Sequence, residues 1–134
     1  MKRLLSAQPY SADLGILLVR LILGGLFAWH GYDALCHYDL YLSMSKSTIG
    51  LGASLEFHLV VFAQFICGIT VALGFLTRLS VLPLFTIMTI AFLVAHKKDP
   101  FVAKELPFTF WLLCIPVFVF GGGRFSIDRL VFKK

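Results

Sequence analysis

The sequence predicts an all-α integral membrane protein: a four-helix bundle of four transmembrane helices with both termini cytoplasmic. Three observations carry this. Four apolar runs, residues 14–35, 55–76, 79–95 and 106–123, have the roughly 17–25 residues that a spanning helix needs. Only 14% of the 134 residues are charged and 59% are hydrophobic, where soluble domains carry roughly 25% charge. The runs are continuously apolar, without the every-second-residue alternation of a membrane-spanning strand. Four spans leave little chain over, so residues 1–134 are expected to form a single membrane domain in the lipid bilayer.

The first helix should begin near Ser11, whose hydroxyl can cap it, with Asp13 favourably placed in the first turn. Gln8, Pro9 and Asp13 interrupt the apolar start, and the run that follows exceeds the roughly 7–15 residues of a signal-peptide core. The first span is therefore expected to stay in the mature protein. The long connection after Leu35 holds Tyr38, Leu40, Tyr41, Leu42 and Met44, which is too apolar for a loose linker, and it should fold over the mouth of the bundle. Ser54 is expected to cap the second helix. The turn after Gly74 is so short that the second and third helices must be antiparallel neighbours. Pro107 is expected in the first turn of the fourth helix, Pro116 should kink it, and Gly121, Gly122 and Gly123 should end it. Arg124 and Asp128 have the spacing of an i,i+4 pair. Gly24 with Ala28, and Gly68 with Ala72, are spaced for close backbone approach between helices in lipid.

The net charge of +5 reports topology and not nucleic acid, because no basic cluster is interleaved with aromatics. The side of the termini holds Lys2, Arg3, Arg78, Arg124, Arg129, Lys133 and Lys134, seven in all. The opposite side holds Lys46, Lys97, Lys98 and Lys104, four in all. Cytoplasmic loops carry the Lys/Arg excess, which puts both termini in the cytoplasm.

Charge within the spans is nearly confined to Arg20, roughly 9 Å along the first helix from Leu14. A guanidinium at that depth is expensive and marks a functional candidate. Gly24, Phe27 and Gly31 share its face, and Gln64 in the second helix is the polar side chain at similar depth. Arg20 and Gln64 could line a polar pocket, or Arg20 could snorkel to the interface. All four histidines lie at the end of the bundle away from the termini. His30, His96 and Glu105 are candidates for a proton path there, or are ordinary interfacial residues. No two histidines are spaced i,i+4 and the three cysteines are scattered, so no metal site is expected. Phe108, Phe110, Trp111, Phe118 and Phe120 are core or lipid contacts, or walls for a flat apolar ligand such as a quinone.

The stretches LLVRLILGGLFAWHGYDAL, GITVALGFLTRLSVLPLFTIMTIAFLVAH and GGGRFSIDRL together resemble the DoxX family of small four-helix bacterial membrane proteins. The matching positions are Arg20, His30, Gly31, Arg78, His96, Glu105, Arg124 and Asp128. Many members have Glu where this chain has Gln64. The resemblance implies a multi-pass protein of the bacterial cytoplasmic (inner) membrane. It further implies a subunit of an oxidoreductase complex handling quinones, thiols or oxidative stress, since relatives are linked to thiosulfate:quinone oxidoreductase. Partners would be other subunits or further copies, and a quinone is a possible ligand. The alternatives are a non-catalytic anchor or assembly factor for a soluble partner, and a small transporter.

Overall fold

The computed structural model describes residues 11–132. Gln8, Pro9 and four of the charges used for topology, Lys2, Arg3, Lys133 and Lys134, lie outside the described residues. Four helices are long and apolar enough to cross a membrane: α1 (Ala12–Cys36), α3 (Ala53–Leu73), α4 (Thr77–Ala95) and α5 (Phe101–Phe120). Two short helices complete the described residues, α2 (Tyr38–Met44) between α1 and α3, and α6 (Ile127–Val131) after α5. No strand occurs among the described residues. The four spans pack in a ring, α1 on α3, α3 on α4, α4 on α5 and α5 back on α1.

Helix boundaries follow from local chemistry. Ser11 caps α1, its Oγ accepting from the Leu14 amide at 3.2 Å. Helix α3 starts after Gly52, not under a Ser54 cap, and stops at Leu73 because Gly74 turns left-handed at φ 73°. Helix α5 starts at Phe101, five residues before the apolar run. Lys104 and Glu105 end that run without ending the helix, since charged residues at the water end of a span remain helical. Pro107 is consequently inside α5 and not in its first turn. Gly121, at φ 68°, ends α5. The connection after α1 does fold back: Tyr38 and Leu42 of α2 pack on Ala34, Phe57 and Val61 at the loop end of α1 and α3.

The tightest contact joins α1 and α3. A Cβ added at Gly24 would lie 2.5 Å from the Ala72 amide nitrogen and from the Gly68 carbonyl oxygen, and one at Gly68 would lie 2.7 Å from the Ala28 nitrogen. The two small-residue pairs therefore face each other. Gly31 repeats the arrangement against the Phe65 backbone, at 2.5 Å. Beside it α3 widens into a single π-helical turn, Ala63–Cys67, a feature common at functional sites. The buried core runs through Leu23, Phe27, Val71, Leu84, Cys114 and Val117. Between α4 and α5 an aromatic stack fills the seam: Phe85 on Trp111 with centroids 5.3 Å apart, and Trp111 on Phe108 at 6.2 Å. The indole N–H donates to Thr89 at 2.9 Å.

Gly24→Ala should lower stability by about 1–3 kcal/mol, because backbone atoms cannot yield to the new methyl. Gly25→Ala, where a methyl meets nothing within 4 Å, should leave stability unchanged. Denaturation midpoints of the two variants in the same detergent check this; equal midpoints would contradict the packing.

Candidate functional site

Arg20 is 1% exposed and faces inward. It does not snorkel. The C-terminal turn of α3 leaves carbonyls short of helical donors, the Val71 carbonyl taking the turn amide of Gly74 at 3.1 Å, and a helix C-terminus carries partial negative charge. Arg20 meets both demands. Its Nε donates to the Val71 carbonyl at 3.2 Å and its Nη2 to the Ala72 carbonyl at 3.3 Å. The same guanidinium reaches past α3 to the segment after α5, donating to the carbonyls of Gly122 and, at 2.9 Å, of Phe125. Five N–H donors thus meet four backbone oxygens from two distant parts of the chain. Gly74 makes room: a Cβ there would lie 2.7 Å from Nη1.

Asp128 does the complementary work at the start of α4. Its carboxylate accepts from the amides of Leu76 at 2.6 Å and Thr77 at 2.9 Å, and from the Thr77 hydroxyl at 2.9 Å. Its own amide donates to the Gly74 carbonyl at 2.9 Å. Leu76 is left-handed at φ 46°, a conformation that costs an L-residue roughly 1–2 kcal/mol and is held here by the Asp128 bond. Asp128 therefore caps a helix and does not pair with Arg124. Arg124 instead faces Asp13, with its amide 3.1 Å and its Nε 3.9 Å from the carboxylate oxygens.

The other expected site residues are not gathered around Arg20. Gln64 is half-buried and lies about two helical turns from Val71; none of Arg20's acceptors is on its side chain. His30 is exposed and edges the Phe110 ring at 6.1 Å. His96 pairs with Asp99 at 2.7 Å. Glu105 is exposed, and no hydrogen bond joins it to either histidine among the described residues. Cys67 and Cys114 are buried free thiols. At the loop end Tyr41 donates to Asp33 at 2.7 Å, and that bond to a carboxylate raises the phenol above its ordinary pKa.

A sizeable cavity lies elsewhere. A lateral groove of 890 Å³ runs between α3 and α4, and none of Arg20, Gln64, His30, His96 and Glu105 lines it. Its walls include Leu59, Phe62, Ile66, Leu82 and Ile87. The π-helical turn contributes Ala63, Ile66 and Cys67. Ser45, Lys46, Thr48 and Glu56 close its loop end, while Thr70 and Ser80 lie toward the α3–α4 turn. Glu56 organises this mouth. It accepts from the amides of Thr48 at 2.6 Å, Ile49 at 3.1 Å and Leu51 at 3.0 Å, and from the Ser47 hydroxyl at 2.9 Å. From sequence Glu56 is one acid among those at the loop end; its hold on the loop and the groove beside it emerge only in the fold. The available signal was the glycine pair Gly50 and Gly52, both at positive φ, which marks a tightly turned loop just before an acid.

The family model described as DoxX matches residues 15–97, more than half of the chain. The match takes in Arg20, the α3–α4 turn and the groove walls; Gly122, Phe125 and Asp128 lie beyond it. Neither the curated proteins nor the solved structures give a match.

Arg20→Leu should cost about 3 kcal/mol, because it strips a buried donor from two carbonyls at the end of α3 and two after α5. Arg20→Lys should recover only part, since an ammonium cannot span both sets of acceptors. Denaturation midpoints test this, and a leucine variant as stable as the parent would refute the clamp.

Proposed function

The chain belongs to the DoxX family, and on that premise we propose that it is a small integral subunit of a membrane oxidoreductase complex that takes a quinone-type ligand, or one of similar size and polarity, into the groove between α3 and α4. The observation that carries the reading is the groove itself. Its 890 Å³ falls within the roughly 300–1,000 Å³ of small-molecule sites, which pair apolar walls with a few polar groups. A flat ring with two carbonyl oxygens suits that division: apolar faces against Phe62, Ile66 and Leu82, and oxygens toward donors such as Lys46 at the loop end. A side opening onto lipid suits a ligand dissolved in the bilayer. The redox assignment comes from the family resemblance, and the electron carrier belongs to a partner subunit.

In this reading Arg20 is a positioning residue, since it fixes the end of the helix that forms one groove wall. His30, His96 and Glu105 have no part in it, because none of them lines the groove. The termini are assigned to the cytoplasm of the bacterial inner membrane from the Lys/Arg excess, which turns the Glu56 mouth outward.

The test is saturable binding of a short-chain quinone analogue to the purified protein in nanodiscs. Leu82→Trp, which fills the groove from an exposed position, should weaken binding at least about tenfold, or 1.4 kcal/mol. Phe108→Ala and Trp111→Ala lie in the α4–α5 seam and should change stability without changing affinity. If no saturable binding is found and the protein retains only a soluble partner, it is a membrane anchor and the ligand reading is wrong.

A further inference from the structure

We propose that Arg78 holds the phosphate of an anionic phospholipid, in a second pocket at the terminal end of the α4–α5 seam. This 380 Å³ pocket shares only Leu79 with the lateral groove. Arg78 is the second residue of α4, where the apolar span meets its polar flank. Its Nη2 donates to the Val119 carbonyl at the end of α5, at 3.2 Å. The guanidinium lies against Gly121, where an added Cβ would sit 3.3 Å from Nε. That single bond fixes the planar fork and leaves further N–H donors free. No carboxylate pairs with Arg78 among the described residues.

One acid lines the pocket, Asp128. Both of its oxygens are already engaged by the Leu76 and Thr77 amides and the Thr77 hydroxyl. Arg20, buried against the adjoining Gly122 and Phe125 carbonyls, offsets its charge. The free charge presented outward is therefore that of Arg78. The apolar rim points to a lipid as the source of the anion. Leu79 is 63% exposed, Phe120 63% and Phe132 60%. Leu79 and Phe120 stand at the ends of two spans, at the depth where acyl chains begin. A guanidinium at the interface above exposed apolar side chains is complementary to a phosphodiester carrying two chains. Its fork gives a phosphate two parallel hydrogen bonds. Anionic headgroups attract nearby basic residues at the membrane surface.

The test uses the full chain in nanodiscs of mixed phosphatidylcholine and phosphatidylglycerol, with the co-purifying lipid counted by native mass spectrometry. The wild type should retain phosphatidylglycerol at least about fivefold over its share in the disc, about 1 kcal/mol. Arg78→Gln should abolish that enrichment and Arg78→Lys should keep part of it. Arg124→Gln, an arginine turned to Asp13 outside the pocket, should leave it unchanged. Millimolar glycerol phosphate should not displace the lipid. The proposal fails if Arg78→Gln retains phosphatidylglycerol like the wild type, if Arg124→Gln loses it equally, or if glycerol phosphate displaces it. Should Arg78→Gln not fold, Phe132→Glu, which places a negative charge on the rim, must lower the enrichment in its place.

Discussion

The Arg20 guanidinium is the constraint on which the rest of the bundle depends. It is a charge within an apolar helix, and its position is tolerated because the chain delivers four backbone oxygens to it. Two of those oxygens end α3 and two belong to the segment after α5. The same segment supplies Asp128 to start α4. The three-residue turn between α3 and α4 is thus held from both sides, cation on carbonyls and carboxylate on amides. This is the helix-dipole rule applied at two adjacent termini. Glycines let the parts close: Gly74 and Gly122 both lack a Cβ that would strike Arg20 or Ser126.

The two ends of the bundle therefore differ in kind. At the terminal end polar groups satisfy one another, and no buried side-chain nitrogen or oxygen lacks a partner among the described residues. Toward the loop end α3 and α4 enclose the lateral groove under a loop pinned by Glu56. With α3 and α4 pinned together at the turn, and α1 held to α3 through Gly24 and Gly68, the gap between helices opens on the α3–α4 face. The buried guanidinium stands at the polar, terminal end, and the groove runs from the Glu56 loop down to Thr70 and Ser80 near the α3–α4 turn.

Much of this was legible beforehand, and the failures have physical causes. The four spans follow from hydrophobic length, and the Gly24/Ala28 and Gly68/Ala72 pairs from the need for close approach in lipid. Of the two directions open to Arg20, the glycines on its face favoured the inward one. Its partners were not legible, because backbone carbonyls are chemically present at every position and sequence cannot say which ones a fold will leave free. Gln64 looked like a partner because side chains are what a sequence displays. Arg124 and Asp128 have pairing geometry on a continuous helix, but Gly121 and Gly123 break the chain before them and α6 begins only at Ile127. The groove was invisible because it is a gap between helices, and a gap has no residue of its own.

Hydrogen exchange at single amides addresses the central claim most directly. The Leu76, Thr77 and Asp128 amides are bonded only within the clamp, while those of Thr48, Ile49 and Leu51 depend on Glu56 at the other end. In Arg20→Leu the first three should exchange faster together, by about tenfold or more, or 1.4 kcal/mol of lost protection. The Glu56-bound amides should keep their wild-type rates. Unchanged protection of Asp128 when Arg20 is gone, or an equal loss at both ends, would contradict the account.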